Sequence, residues 1–520
     1  MIRIADYITK AAWHSADKPS LTHDGRTFTW AETEERCWGF AAALYDMGVR
    51  PGDMVAYLGL NSHRYYECYF VPSRIGAAVV AINYRLAVPE MIDCLNDCVP
   101  KVLVVDDLHV EQARAVMKAC DSIETLVYAG DGTTPDDMVS YEDNLTGDRS
   151  HIDFEALGSK DNDPVTIFYT GGTTGKSKGV ELSHINHFSN SIGGINAYGF
   201  REAETHLLSG PMFHLGAGAR VFWTVVLGAH TVIIPKFDVL DLMRVIPEYR
   251  IDTIQMVPTM VTMIFDHPQF SEFDLSSVRL ITYGAAPMPV ALMRRAMEAL
   301  PNATFCQGFG MTETSPVLTV LSPQDHALEG PMAEKLNSIG KVIGHVDLRI
   351  VDPDDNPLPV GETGEIVTRG PHVMVGYLNK PEQTAIAKRG GWYHTGDTGY
   401  IDEDGFVFLT GRIKDMIISG GENIYPIEIE NVLSLHPTVN ECAVIGLPDD
   451  HWGEVVHAVV TPAAGKAIAE DDIIDWCREH LAHYKCPRAV TVRTEPMPLS
   501  NVNKIMKSEL REQYLRGEWT

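Results

Sequence analysis

The strongest constraint on the fold is an alternation of helical patterns with short apolar runs. A helical pattern from Trp30 to Met47 precedes the apolar run Val55 to Leu60, and a helix-like stretch from Tyr65 to Gly76 precedes Ala78 to Ile82. The same rhythm returns between residues 239 and 306. The further predicted elements are Val102 to Val105, Val239 to Tyr249, Pro258 to Phe265 and Thr304 to Cys306. Alternation of this kind is typical of parallel βαβ units. The sequence therefore predicts two α/β lobes.

The chain is also too long for a single core. At 520 residues, two or more domains are expected. From about Ser338, aspartates, prolines and glycines separate short strands, and Asp404-Gly405 between two apolar runs indicates a hairpin. We predict an α/β fold with a large N-terminal domain, residues 1–411, which holds the two lobes and a small β-rich subdomain. A small α+β C-terminal domain, residues 412–520, follows.

A glycine-rich segment from Tyr169 to Val180 follows the apolar run that starts at Val165. It holds four glycines, three threonines, one serine and two lysines. Such a backbone can turn its N–H groups around phosphate oxygens, and hydroxyl and ammonium groups add donors. A flexible linker is the alternative, but it explains neither the preceding strand nor the lysines. The spacing from Gly171 to Gly175-Lys176 is one residue too short for a Walker A loop. We predict a phosphate loop of another kind.

Charge and cysteine content exclude several classes of protein. A formal net charge of −28 argues against binding to nucleic acid or to an anionic membrane. The nine cysteines are scattered, and no second pair or histidine cluster joins Cys94 and Cys98 in a metal site. The start of the chain lacks the apolar run of a signal peptide, and no segment is long and apolar enough to span a bilayer. We expect reduced thiols, no integral membrane segment and a cytoplasmic protein.

Two further segments carry groups suited to a nucleotide. In Gln307 to Glu313, Thr312 can donate to a phosphate and Glu313 can hold Mg²⁺; a tight turn with an exposed glutamate is the alternative. In Tyr393 to Asp397, a carboxylate on a glycine turn suits two ribose hydroxyls, although a lone aspartate more often caps its turn.

The last three candidate residues are cationic. Arg412 and Lys414 stand at the predicted domain junction, where a surface charge pair is the alternative. Lys504 lies in a turn-rich segment near the end of the chain, and a single lysine there is more often solvated than catalytic.

Taken together and in order, these segments resemble the adenylate-forming superfamily of acyl-CoA synthetases, aryl-CoA ligases, luciferases and peptide-synthetase adenylation domains. The resemblance covers nearly the whole chain. It implies ATP, Mg²⁺ and coenzyme A as cofactors, a hinge near Lys414 and a mobile C-terminal domain. The resemblance leaves open whether the protein forms a homodimer.

The resemblance also implies roles for individual residues. Glu313 is expected on Mg²⁺, Asp397 on the ribose, Arg412 on the ribose or a phosphate, and Lys504 on the substrate carboxylate and the α-phosphate. The residues expected around the nucleotide, the acyl group and the thiol tunnel are Thr170, Gly171, Gly172, Thr173, Thr174, Gly175, Lys176, Lys178, Gly284, Ala285, Ala286, Gln307, Gly308, Phe309, Gly310, Met311, Thr312, Lys414, Gly420 and Gly421. The family usually has glycine before the late lysine, whereas this chain has Asn503, which tolerates positive φ.

The segment Pro211 to Ala217 bears on the substrate. Amino-acid-activating relatives usually carry an aspartate where this chain has His214, and an ammonium buried without a carboxylate is costly. We therefore expect a small-molecule carboxylic acid without an α-amino group, either fatty, aryl or aryl-propenoic. The wall of its pocket is expected to include Phe213, Val257, Tyr283, Gly284, Gly308, Gly310 and Met311. His214 is predicted to gate the pocket; a histidine packed at a helix start is the alternative.

The sequence predicts an AMP-forming acid–CoA ligase that passes through an acyl-adenylate. Thr174, His214, Glu313 and Lys504 are the predicted catalytic residues. No carrier-protein segment is appended, so CoA is the expected acceptor. Three alternatives stay open: luciferase-like chemistry, acyl transfer to a carrier protein, and a catalytically degenerate ATP-binding regulatory protein.

Overall fold

The computed structural model describes residues 2–170, 177–284, 288–330, 332–420, 422–449, 451–463, 465–499 and 505–519. The chain divides into two compact units. Unit 1 comprises Met1–Asp347 and Arg369–Tyr393, and unit 2 comprises Leu348–Thr368 and His394–Thr520. The predicted boundary between residues 411 and 412 stays a prediction.

The strands, in chain order, are β1 (Pro19–His23), β2 (Arg26–Thr29), β3 (Met54–Leu58), β4 (Ala78–Ile82), β5 (Val102–Val105), β6 (Thr125–Tyr128), β7 (Val139–Ser140), β8 (Pro164–Thr170), β9 (Lys178–Ser183), β10 (Thr205–Leu208), β11 (His230–Ile233), β12 (Thr253–Met256), β13 (Leu280–Gly284), β14 (Thr304–Gly310), β15 (Val317–Leu321), β16 (Lys341–Val342), β17 (Asp347–Val351), β18 (Gly364–Arg369), β19 (Gly376–Tyr377), β20 (Tyr393–Ile401), β21 (Val407–Arg412), β22 (Ile417–Ser419), β23 (Glu422–Ile424), β24 (Val439–Asp449), β25 (Gly453–Pro462) and β26 (Ala489–Val492).

The α-helices are α1 (Asp6–Ser15), α2 (Trp30–Asp46), α3 (His63–Cys68), α4 (Val88–Cys98), α5 (Val110–Met117), α6 (Phe154–Leu157), α7 (His184–Tyr198), α8 (Leu215–Leu227), α9 (Val239–Tyr249), α10 (Pro258–Phe265), α11 (Val290–Ala299), α12 (Pro381–Ala387), α13 (Pro426–Leu433), α14 (Glu470–His480) and α15 (Lys507–Leu515).

Unit 1 holds two largely parallel sheets. The first runs β19-β9-β8-β4-β3-β5-β6-β7, and the second runs β16-β15-β14-β13-β12-β10-β11-β1-β2. Every residue of β4 and β5 is buried, as expected of central parallel strands that helices cover on both faces. Helices α9, α10 and α11 pack against one face of the second sheet around Met243, Val261 and Met293. Both sheets thus expose the carboxyl ends of parallel strands, where ligands bind in such folds.

Unit 2 is built from two smaller sheets. One runs β17-β18-β20-β21, and the other runs β23-β22-β25-β24, with β26 beside β25. The predicted hairpin at Asp404-Gly405 joins β20 and β21, which pair antiparallel from Asp397↔Arg412 to Ile401↔Val407. Helices α13 and α14 cover the second sheet around Ile429 and Ile473. These are the elements of a β-rich subdomain and a small α+β domain.

One predicted helix is wrong. The stretch from Tyr65 to Gly76 is not continuous, because α3 ends at Cys68 and a 3₁₀ turn occupies Pro72–Ile75. Pro72 has no N–H to donate to a carbonyl of the preceding turn, so the α-helical hydrogen bonding does not continue through it. Within the described ranges, none of the helices combines the length and the apolar character that crossing a bilayer requires.

Candidate active site

The two ends of the glycine-rich segment are adjacent in the first sheet. Thr170 ends β8 and pairs with Lys178, the first residue of β9, in an antiparallel ladder. The Thr170 hydroxyl lies 3.5 Å from the Lys178 carbonyl oxygen. The ammonium of Lys178 lies 4.9 Å from the centre of the Tyr377 ring, within the range of a cation–π contact. The two ends of the segment therefore lie on neighbouring antiparallel strands of one sheet.

Glu313 is linked to that hairpin through one phenol. It lies in a 3₁₀ turn, Thr312–Thr314, just after β14, and it is half-buried. The Tyr377 hydroxyl donates to its Oε1 at 3.0 Å. Burial raises the pKa of Tyr377, and the Glu313 carboxylate adds to the rise, so the phenol stays protonated. Tyr377 thus contacts both Lys178, at the start of β9, and the carboxylate predicted to hold Mg²⁺.

These contacts suit Mg²⁺ as the family uses it. The described residues contain no group of three or more histidine, cysteine, aspartate or glutamate side chains placed to hold a metal. Mg²⁺ in nucleotide enzymes usually takes one or two carboxylates and fills its other positions with phosphate oxygens and water. Glu313 is a half-buried carboxylate that accepts from a neutral phenol, and its oxygens are ligands of the kind that Mg²⁺ prefers.

Four of the glycines and amides predicted around the nucleotide and acyl group lie on neighbouring strands. Gly284 ends β13 and pairs in parallel register with Gly308 of β14, and Gln307 pairs with Tyr283. Phe309 and Gly310 complete β14, and Met311 accepts a 3.5 Å contact from the Tyr393 hydroxyl through its sulfur. The structure thus brings Gly284, Gly308 and the Glu313 turn together at one edge of the sheet.

His214 caps a helix. It precedes α8, and its Nδ1 accepts from the Gly216 N–H at 3.1 Å. The neighbouring Gly216 carbonyl accepts from the Gln255 amide at 2.6 Å, which ties the start of α8 to β12. This contact is that of a histidine packed at a helix start, which was the alternative to a gate. The role of His214 as a gate stays a prediction.

The ribose and junction candidates belong to unit 2. Asp397 is 4% exposed, and its Oδ1 accepts from Arg412 Nε at 2.9 Å across the β20–β21 ladder. Lys414 follows in a 3₁₀ turn, and burial lowers its pKa below the ordinary lysine value. Gly420 has φ +60°, and a Cβ there would lie 2.7 Å from the Trp452 ring, so a larger residue would displace that ring.

Several predicted site residues lie outside the described ranges. They are Gly171, Gly172, Thr173, Thr174, Gly175, Lys176, Ala285, Ala286, Gly421 and Lys504. Their roles stay predictions.

Sequence reasoning missed Tyr377 and placed Tyr283 on the wrong face. Tyr377 follows a glycine in a two-residue strand 64 positions after Glu313, with no motif around it. Tyr283 was expected in the acyl pocket wall with Gly284. Its ring instead packs among the residues of α9 to α11, and its hydroxyl lies 2.9 Å from His326 Nε2. Adjacent strand residues face opposite ways, which is the signal that could have separated the two.

Comparison with known proteins gives a consistent result. The model of the AMP-binding enzyme family matches residues 8–378, and that of the AMP-binding enzyme C-terminal domain matches residues 428–504. Feruloyl-CoA synthase of Amycolatopsis sp is 37% identical over 516 residues, which cover 98% of this chain and 99% of that protein. Indoleacetate–CoA ligase of Aromatoleum aromaticum is 34% identical and covers 99% of both chains.

A solved structure is similar along the whole chain. The o-succinylbenzoate CoA synthetase of Bacillus subtilis, in complex with its acyl-adenylate intermediate, has a TM-score of 0.83 at 28% identity and covers 97% of this chain and 98% of that one. The predicted superfamily and the predicted mixed α/β fold, with a large N-terminal and a small C-terminal part, are confirmed. The chain belongs to the AMP-binding, adenylate-forming enzyme family.

Proposed function

We propose that this protein is an AMP-forming acid–CoA ligase whose substrate is an aryl or aryl-propenoic acid without an α-amino group. The class of enzyme predicted from the sequence, an acid–thiol ligase that uses ATP, Mg²⁺ and CoA, is confirmed by the family and by relatives that are CoA ligases. The aryl character is the finer step, and it is supported by relatives named for ferulate and indoleacetate.

The observation that carries the proposal is the position of Tyr377. Its ring contacts Lys178 beside the phosphate loop, and its hydroxyl donates to Glu313. One side chain therefore contacts both the hairpin that we propose to bind phosphate and the carboxylate that we propose to hold Mg²⁺. This pair of contacts supports a catalytic protein over a degenerate one.

The chemistry explains why these residue types are required. A carboxylate is a weak nucleophile, and it is repelled by the α-phosphate that it must attack. Lys176, Lys178 and the hydroxyls of Thr170 and Thr174 would hold the phosphates, and Lys504 would offset the charge that develops between acid and α-phosphate. Mg²⁺ on Glu313 would neutralise phosphate charge when bound. Arg412 and Asp397 would hold the ribose side of the nucleotide.

The second half-reaction transfers the acyl group to sulfur. In our proposal the C-terminal domain, residues 412–520, turns about Lys414 and brings Gly420 and Gly421 to the thiol tunnel. Lys504 leaves the site in that turn, and His214 opens the pocket. Gating of this kind keeps water from a mixed anhydride that hydrolyses readily.

Acid-dependent AMP release tests the function directly. The purified protein, ATP and Mg²⁺ are incubated with a panel of aryl, aryl-propenoic and fatty acids, with and without CoA. We expect AMP release that CoA accelerates, greatest for aryl acids. Release that a carrier protein but not CoA accelerates would assign the alternative acceptor, light emission would assign luciferase-like chemistry, and no AMP with any acid would contradict the proposal.

Lys504 has a prediction of its own. Lys504→Ala should lower the adenylation rate by about 10²–10³, the loss typical of one such charge contact. Pyrophosphate exchange measures that step, whereas conversion of synthetic acyl-adenylate to thioester measures the second. The second rate should be nearly unchanged. A normal exchange rate would remove Lys504 from its assigned role.

Compartment and assembly are further proposals. All nine cysteines are free thiols, eight of them buried, which agrees with the reducing cytoplasm that we propose as the location. Sedimentation at several protein concentrations would decide whether the protein is the homodimer that the family resemblance allows.

A further inference from the structure

Arg220 is a buried cation that the proposed mechanism does not use. It lies in α8, one helical turn after Gly216, and is 1% exposed. Its Nη2 donates to the Thr282 hydroxyl at 2.6 Å, and its Nη1 lies 3.0 Å from His206 Nδ1. Its Nε is buried and has no hydrogen-bond partner within the described ranges. A guanidinium has five N–H donors, so these two contacts leave it under-satisfied.

Among the residues that the structure describes, no carboxylate contacts Arg220 directly. The Glu204 carboxylate lies 4.0 Å from Nε2 of His206, which is itself a partner of Arg220, but it does not contact the arginine. Glu204 is already paired with Arg279 at 2.6 Å. Burial holds the pKa of His206 well below its ordinary value, so that imidazole is neutral and accepts from the guanidinium. Burial also lowers the pKa of Arg220 to about 10. A buried cation without a carboxylate is costly.

Strand register places this cation beneath the edge where the acyl group is expected. Thr282 pairs with Gln255 and Cys306, and Gly284 pairs with Gly308. Residues two apart on a strand share a face, so Thr282 and Gly284 both face α8. Thr282 is two residues below the carboxyl edge, which puts Arg220 about 7 Å deeper than Gly284.

Tyr198 closes the same face. A Cβ on Gly308 would lie 1.8 Å from the Tyr198 hydroxyl, so only glycine leaves room for that phenol beside β14. The Arg220 guanidinium also lies 4.9 Å from the centre of the Phe200 ring. On this face, therefore, one cation and one phenol lie among aromatic rings, and glycines and the start of α8 lie toward the carboxyl edge of the sheet.

We propose that Arg220, together with Thr282, forms a polar end to the acyl pocket and binds an acceptor oxygen on the end of the acid opposite the activated carboxylate. This inference rests on the proposed function. A carboxylate would pair with the buried charge, and a carbonyl would accept one of its N–H groups. Acids with an apolar end would leave the guanidinium unpaired.

The test compares acids of matched shape. Cinnamic acids that carry a 4-carboxylate, a 4-acetyl or a 4-isopropyl group are assayed for kcat/KM in CoA thioester formation. We expect the wild-type protein to prefer the two acceptor-bearing acids by about 10- to 100-fold, because a site built to hydrogen-bond discriminates strongly against an analogue without the acceptor. Equal values for the three acids would overturn the inference, whereas no AMP with any acid would contradict the proposed function instead.

Variants separate specificity from packing. Arg220→Met should remove the preference while changing kcat/KM for the isopropyl acid less than about threefold, and Arg220→Lys should keep part of the preference for the carboxylate. Arg74→Met is the matched control. Arg74 is also buried, at 4% exposed, but it pairs with the Glu34 carboxylate at 2.6 Å and lies far from α8 in the sequence. It should leave the ratio between the acids unchanged. If Arg220→Met does not fold, the ratio of kcat/KM between the acids in the wild-type protein and in Arg220→Lys still tests the inference. An equal loss of kcat/KM for all three acids in the Arg220 variants would show that Arg220 only contributes to packing.

Discussion

Two acidic residues assigned to the nucleotide lie in contrasting surroundings. Glu313, in unit 1, is half-buried and accepts from the neutral phenol of Tyr377. Asp397, in unit 2, is almost fully buried and is paired with the guanidinium of Arg412, which is 48% exposed. The Glu313 carboxylate thus accepts from a neutral donor, whereas the charge of Asp397 is offset by a guanidinium and its oxygens are suited to accept from neutral hydroxyls.

The contrast agrees with the roles assigned from the family resemblance. Mg²⁺ takes carboxylate oxygens as ligands, and the ribose hydroxyls need an acceptor of fixed geometry. The Thr395 hydroxyl accepts from the Asp397 N–H at 3.0 Å and donates to the Ile366 carbonyl at 2.7 Å, which fixes the turn that carries the carboxylate. The two carboxylates should therefore respond differently when only the charge is removed.

The largest effect is expected at Glu313. Glu313→Gln keeps the shape of the side chain but removes the charge, and adenylation measured by pyrophosphate exchange should fall by about 10²–10³. The Mg²⁺ concentration that gives half the maximal rate should rise in the same variant. A variant with unchanged Mg²⁺ dependence and rate would show that Glu313 does not hold the metal.

A smaller effect is expected at Asp397. Asp397→Asn should lower kcat/KM for ATP by about 10- to 100-fold, since a hydrogen bond to a charged group contributes about 1.5–3 kcal/mol. The Mg²⁺ dependence should stay as in the wild-type protein. The matched probe is 2′-deoxy-ATP or 3′-deoxy-ATP. With either nucleotide, Asp397→Asn should lower kcat/KM less than it does with ATP, because one ribose hydroxyl that donates to the carboxylate is already missing. An equal penalty with all three nucleotides would contradict a contact between Asp397 and the ribose.

Much of the fold, but less of the site, followed from the sequence. The predicted bounds of β4, β5, α9 and α10 agree with the structure to the residue, because apolar runs bounded by turn or proline signals define them locally. Strand β14 was predicted to end at Cys306 but continues to Gly310, since pairing with β13 and β15 outweighs the low strand propensity of glycine. The contact between Tyr377 and Glu313 could not be predicted, because it joins residues far apart in the chain through a strand two residues long.

The smallest effect, and the one that most sharpens the comparison, is expected at Tyr377. Tyr377→Phe removes the hydroxyl that donates to Glu313 but keeps the ring beneath the Lys178 ammonium. Adenylation should fall by about 2- to 10-fold, less than a direct hydrogen bond to a charged group would cost, because the hydroxyl acts on the nucleotide only through Glu313. Tyr377→Leu also removes the ring, and it should lower the rate further and raise the KM for ATP, because Lys178 then loses its cation–π contact. Comparing the two variants by pyrophosphate exchange separates the hydrogen bond to the carboxylate from the positioning of the lysine. If both variants matched the wild-type protein, Tyr377 would have no role in linking the phosphate hairpin to Glu313.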